Sequence, residues 1–164
     1  MSGSEAIGVL FVCLGNICRS PTAEAVFAAR LMREGLADRI RVDSAGTGDW
    51  HLGEPPDPRS RQAARARGYD LEHLRARQVV PADFRNFGYI LAMDDANLRA
   101  LRRLQPDWYR GELDLFLRAG GCRSPLEVPD PYNGDARDFE RVLDLVEVAA
   151  DGLLAALRAR HPFP

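Results

Sequence analysis

The chain has 164 residues, of which 46% are hydrophobic and 28% charged, and a formal net charge of -2. That length and apolar content suit one globular domain with a real core, and the balanced charge gives no reason to expect a nucleic-acid partner. Every basic side chain apart from His is Arg, so an anion must be held by Arg, His or backbone N–H groups.

The three cysteines, Cys13, Cys18 and Cys122, are too few and odd in number for a disulfide framework. No Cys or His spacing suggests zinc, so neither metal nor cofactor is expected. The longest apolar run, Ala6 to Leu14, is too short to cross a bilayer. Met1 to Ala6 lack the basic start and long apolar stretch of a signal peptide. These readings imply no membrane partner and a cytoplasmic location. No repeat, low-complexity stretch or linker divides the chain, so 1–164 reads as a single domain.

In chain order, Ile7 to Val12 is a short run of Ile, Val, Leu and Phe and predicts a buried strand. Ser20-Pro21 then predicts a helix start, with Ser20 as N-cap and Pro21 in the first helical position, and Gly35 predicts its stop. Ile40 to Ser44 reads as a second strand. Pro58 to Arg67 is helical in composition and ends before Gly68. Tyr89 to Met93 reads as a third strand, followed by a helix capped by Asp94, and Leu113 to Leu117 as a weaker fourth strand. Phe139, Val142, Leu143, Val146, Ala149, Ala150, Leu153 and Leu157 recur at helical spacing, with Asp135 and Asp138 favouring the N-terminus of that last helix. Strands alternating with helices imply an α/β fold around a parallel sheet. Ligands of such sheets sit beyond the carboxyl ends of the strands, which directs attention to the loop after Val12.

That loop is Cys13-Leu14-Gly15-Asn16-Ile17-Cys18-Arg19-Ser20-Pro21. It joins a buried strand to a helix N-terminus, where unpaired N–H groups and the helix dipole form an anion cradle. Gly15 and Asn16 tolerate the backbone angles that curl such a loop. Arg19 offers a planar fork that grips two phosphate oxygens. Cys13, at the base of the positive cradle, is a candidate nucleophile in its thiolate form, and Ser20 can donate to it. A strand-end Cys is more often inert core, and a bare C-x5-R spacing arises by chance; the strand before and the Gly, Asn and Ser-Pro within and after favour the chemical reading.

The stretch Val12 to Phe27, VCLGNICRSPTAEAVF, resembles the signature of the low-molecular-weight protein tyrosine phosphatases. The similarity continues in order through Asp43-Ser44-Ala45-Gly46-Thr47, Asp57-Pro58-Arg59, Ala76-Arg77-Gln78, Ile90-Leu91-Ala92-Met93-Asp94 and Asp130-Pro131-Tyr132. The resemblance implies a three-layer domain with a four-stranded parallel sheet, a phosphate-binding loop of Leu14, Gly15, Asn16, Ile17, Cys18 and Ser20 after the first strand, and no metal. It implies hydrolysis of phosphotyrosine in a protein, or of a small aryl phosphate, through a cysteinyl phosphate, with inorganic phosphate as product and inhibitor. Asp130 takes the role of general acid; in isolation an Asp-Pro would read as a turn. Trp50 and Tyr132 form the walls of an aryl cleft, Ser44 helps Asn16 hold the loop, and Cys18 pairs with an oxidised Cys13.

Two positions depart from the family pattern. Asn133 replaces a second aromatic after Tyr132, which makes the cleft wall more polar. Leu74, with His73 beside it, stands where a His is common before Ala-Arg-Gln. Asp94 reads as a cap rather than a catalytic group, and His51 and His161 as solvated. An arsenate reductase on the same scaffold is the nearest alternative, but it needs a downstream cysteine pair and only Cys122 remains. A non-catalytic phospho-ligand binding module would lack Cys13 or Asp130. A nucleotide-binding domain would carry a Gly-rich or P-loop pattern that is not here.

Overall fold

The structure, a computed structural model, describes residues 6–163. Of Met1 to Ala6, all but Ala6 therefore lie outside the described residues. The first apolar run forms β1 (Ile7–Cys13). It is followed by α1 (Arg19–Arg33), β2 (Ile40–Gly46), α2 (Pro58–Ala66), α3 (Asp83–Asn86), β3 (Tyr89–Ala92), α4 (Asp95–Leu104), β4 (Glu112–Leu115), α5 (Phe116–Ala119) and α6 (Ala136–Arg160). The sheet order is β2-β1-β3-β4, all parallel. Ile7 lies opposite Ile40 and Cys13 opposite Gly46 on one side of β1, and Val9 lies opposite Tyr89 on the other. This is the α/β sheet expected from the alternating pattern. No helix among the described residues is long and apolar enough to cross a membrane.

β1 is apolar throughout because both of its faces are covered. Val9 and Phe11 point into the layer that holds Phe27 of α1 and Val146 and Leu153 of α6, whereas Leu10 and Val12 point into the layer with Phe84, Leu98 and Leu101. Phe11 meets Phe27 and Phe116 edge-on, with ring centroids 5.8 and 4.8 Å apart, the geometry that aromatic quadrupoles favour. Chain direction across the sheet reverses at β1, between β2 on one side and β3 on the other. The crevice at their carboxyl ends is the topological switch point where such sheets bind ligands.

Helix ends follow the local signals in most places. α1 stops at Gly35, which takes a left-handed φ of 71°. Asp94 caps α4 by accepting the Asn97 N–H, and Asp135 caps α6 in a reciprocal capping box with Asp138. Two expectations are corrected. α1 begins at Arg19 with Cys18 as N-cap, so Pro21 sits in the third helical position, where its missing N–H still costs nothing. Ser20 is then free of capping, and its hydroxyl faces Cys13. The fourth strand ends at Leu115, and Phe116 and Leu117 belong to α5, whose turn drives both side chains into the core. The short helix α3 carries no sequence period long enough to predict it.

Candidate active site

The loop after β1 is held from outside by β2 and the residues that follow it. Thr47 N–H donates to the Cys13 carbonyl and Gly48 N–H to the Leu14 carbonyl, each at 2.9 Å. The backbone N–H groups of Leu14 to Cys18 donate to no protein acceptor among the described residues, which leaves them for an anion. Gly46 is required here: a Cβ on it would stand 2.6 Å from the Leu14 carbonyl oxygen. Asn16 takes a left-handed φ of 58°, unusual for a side-chain-bearing residue. It is held there by three hydrogen bonds: its Nδ2 donates to Ser20 Oγ at 2.8 Å and to Ser44 Oγ at 3.0 Å, and its Oδ1 accepts Arg77 N–H at 2.9 Å. Cys13 Sγ lies 2.9 Å from Ser20 Oγ.

Arg19 is 2% exposed. Its Nη1 donates to Asp94 Oδ2 at 2.7 Å and to the Val128 carbonyl at 3.0 Å, while Nη2 lies 3.6 Å from Asp130 Oδ2. Burial works against its charge, but the Cys13 sulfur, the Asp94 bond and the Asp130 charge outweigh it and raise its pKa. The guanidinium is therefore a fixed cation beside the sulfur. Asp130 accepts Tyr132 N–H at 3.1 Å and its carboxyl is half-exposed at the mouth of the site.

One cavity of about 230 Å³ is lined by Cys13, Leu14, Gly15, Ile17, Cys18, Arg19, Trp50, His51, Asp130 and Tyr132. Asn16, Ser20 and Ser44 stand behind the loop rather than in the cavity. Trp50 and Tyr132 are 66% and 47% exposed, so they form a rim. Arg59 lies over the Tyr132 ring at 5.6 Å, and its guanidinium pairs with Asp57 at 2.8 Å. His51 is corrected from a solvated residue to a wall of this cavity: its Nδ1 is 2.9 Å from Glu54 Oε1, and its ring centroid is 6.3 Å from that of Tyr132. His161 is also engaged, through Nε2 at 2.9 Å from the Tyr89 hydroxyl.

Cys18 is buried under the loop. Burial pushes its thiol up to about 12, with the nearby Asp57, Cys13 and Asp130 charges adding and a hydrogen bond with Ser60 opposing. Among the described residues, no group of three or more His, Cys, Asp or Glu could hold a metal ion. Sequence reasoning missed Glu24, which accepts Ser44 Oγ–H at 2.7 Å. It also missed the second task of Asp94, on Arg19. Glu24 lies within α1 and Asp94 at the N-cap of α4, and the partners of both lie on other elements.

A sulfur at the floor of a helix-terminal anion cradle, flanked by a buried guanidinium and a half-exposed carboxyl, can carry phosphoryl transfer by covalent catalysis. The family model described as "Low molecular weight phosphotyrosine protein phosphatase" matches residues 8–162. The chain belongs to this family. It is 48% identical to the low molecular weight protein-tyrosine-phosphatase of Streptomyces coelicolor, over 92% of this chain and 93% of that one. It superposes on the protein tyrosine phosphatase of Entamoeba histolytica, crystallised with Hepes in the active site, with a TM-score of 0.90 and 39% identity, over 94% of this chain and 99% of that one. It is similar also to Vibrio vulnificus Wzb in complex with benzylphosphonate, with a TM-score of 0.78 and 27% identity, over 94% and 99% of the two chains.

Proposed function

We propose that this protein hydrolyses phosphotyrosine in proteins, and small aryl phosphates, through a phosphocysteine at Cys13. The observation that carries the reading is that Cys13 and Arg19, from one loop, and Asp130, from a segment far along the chain, line one cavity with an aromatic rim. The phosphate enters the cradle of loop N–H groups and pairs with Arg19. The Cys13 thiolate attacks phosphorus, and the bond to the phenolic oxygen breaks as Asp130 gives that oxygen a proton. Asp130 then takes a proton from water as the water attacks the phosphocysteine. Inorganic phosphate leaves and the thiolate returns. Ser20, within hydrogen-bond reach of Cys13, stabilises the sulfur as leaving group. Phosphate, being the shape of the cradle, also inhibits by occupying it.

The rim of Trp50 and Tyr132 sets a depth that a phosphotyrosine ring spans and a phosphoserine side chain does not. Membership in this family and the lone Cys122 outside the loop argue against arsenate reduction. The whole chain acts as one catalytic domain, and the cytoplasm is the location that belongs to this reading.

The test is steady-state hydrolysis of aryl phosphates without added metal. Cys13→Ser abolishes turnover yet binds vanadate. Asp130→Asn loses on the order of 10²–10⁴-fold on esters with poor leaving groups, and the loss shrinks as the leaving phenol becomes more acidic. Turnover by Cys13→Ser near that of the wild type would end the proposal.

A further inference from the structure

Under the phosphate loop runs a line of polar side chains that ends on a carboxylate without a basic partner. The Asn16 oxygen accepts a backbone N–H, that of Arg77, at 2.9 Å. A backbone N–H can only donate, so this contact settles which way the Asn16 amide points. Its two Nδ2 hydrogens go to Ser20 Oγ and Ser44 Oγ. Each hydroxyl already accepts from Asn16 and sends its own hydrogen onward. That of Ser44 goes to Glu24 Oε1 at 2.7 Å. That of Ser20 faces Cys13 Sγ at 2.9 Å, with the Ala45 carbonyl at 3.4 Å as the weaker alternative.

We infer that Glu24 is a positioning residue for the proposed nucleophile: by taking the Ser44 hydrogen, its carboxylate anchors Ser44 as acceptor of one Asn16 hydrogen, and so steadies Asn16 and the Ser20 hydroxyl that it holds beside Cys13. The inference rests on the reading of Cys13 as the group that attacks phosphorus.

The surroundings of Glu24 make its charge matter. Asp43 and Ser44 face it from β2, and Arg77 faces it from the segment after α2. Arg77 is already engaged, with Nη2 3.0 Å from both Asp43 and Asp83. Glu24 itself forms no ion pair among the described residues. Burial pushes its carboxyl up to about 7; the Asp43 charge adds to this, and the Ser44 hydrogen bond and Arg77 oppose it. The group therefore changes charge near neutral pH. Ionised, it takes the Ser44 hydrogen in a charge-assisted bond, about twice as strong as a neutral one. Protonated, it carries a hydroxyl that can itself donate to Ser44 Oγ. The Ser44 hydrogen then loses its charged acceptor, and Ser44 holds its side of the Asn16 amide less firmly.

The experiment is kcat for an aryl phosphate from about pH 5.5 to about pH 8, for the wild type, Glu24→Gln, Ser44→Ala and the double variant. Glu24→Gln keeps the shape and an acceptor oxygen but not the charge, so it copies the protonated wild type. Its kcat should match the wild type at the acid end and fall to roughly a third to a tenth of it at the alkaline end. A loss that is the same at every pH is what a purely structural role gives, and it would overturn the inference. In the Ser44→Ala background, Glu24→Gln should have no further effect. A full effect there would show that Glu24 acts by another path, and it too would overturn the inference. If Glu24→Gln does not fold, Ser44→Ala alone must show the pH-dependent loss, or the inference fails. Alkylation of Cys13 by iodoacetate checks the underlying reading separately: activity that survives alkylation ends that reading, whatever the pH ratios are.

Discussion

One oxygen of Asp94 lies 2.7 Å from Arg19 Nη1, and the other accepts the Asn97 N–H at 2.8 Å. A single carboxylate between β3 and α4 thus starts α4 and aims the guanidinium that lies beside the loop after β1. Arg19 is almost wholly buried where it lines the cavity, and its direction depends on this contact and on the Val128 carbonyl.

Asp94→Asn separates the two tasks, because the amide keeps a capping oxygen and loses the charge. Loss of a charge-assisted bond of about 1.5 kcal/mol should lower kcat/KM by about tenfold, with little change in the unfolding midpoint beyond the cost of the less matched Arg19. Asp94→Ala should in addition lose about 1 kcal/mol of stability with the cap. Kinetics and urea unfolding on both variants check this. Unchanged kcat/KM in Asp94→Asn would mean that Arg19 is aimed by Val128 alone.

The two loop cysteines predict a redox response. Peroxide takes two electrons from the Cys13 thiolate and leaves a sulfenic acid; the Cys18 thiol then displaces water to give a disulfide. Burial holds Cys18 as a thiol, so the second step is the slower one. Peroxide should inactivate the wild type, dithiothreitol should restore most of its activity, and inorganic phosphate should slow the loss. Cys18→Ser should recover a smaller fraction of its own starting activity. Equal fractional recovery would remove Cys18 as the protecting thiol.

Glu24 also predicts how stability depends on pH. Its carboxyl is raised from an ordinary value of 4.5 to about 7 in the folded chain, so the folded state binds the proton more tightly than the unfolded state. The fold therefore gains nothing or loses nothing from this group below about pH 4.5, loses stability as pH rises from there to about 7, and is uniformly weaker above. The loss is on the order of 1–3 kcal/mol. Glu24→Gln should remove that slope, so urea midpoints of variant and wild type should diverge between about pH 5 and about pH 8. Parallel midpoints would show that the carboxyl is ionised at its ordinary value. With diverging midpoints, the charge that steadies the loop for catalysis is the same one that weakens the fold.

Signals confined to a few neighbouring residues were legible in the sequence. The apolar run of β1, the Gly and Asn of the loop, the caps at Asp94 and Asp135 and the period of α6 each announce themselves locally. The Ser20 position was misjudged because a serine before proline looks the same whether its hydroxyl caps a helix or faces a sulfur. Phe116 and Leu117 prolong the apolar run of β4, and only the turn of the chain assigns them to α5. His51 joins the cavity wall because the segment after β2 folds back over Gly15. The partnerships of Arg19 with Asp94 and of Ser44 with Glu24 cross from one element to another, and no period or cap encodes them.

The segment that carries Asp130 is pinned to the sheet by its neighbour Val128, whose N–H donates to the Met93 carbonyl at 2.8 Å and whose carbonyl receives Arg19. During synthesis the cradle, with Cys13 and Arg19, leaves the ribosome early, and the pin leaves late. Because a domain folds as a unit, the cradle that is made early must wait for the pin that is made late, and since Val128 holds both Arg19 and the segment of Asp130, the guanidinium and the carboxyl come to the cradle in one event.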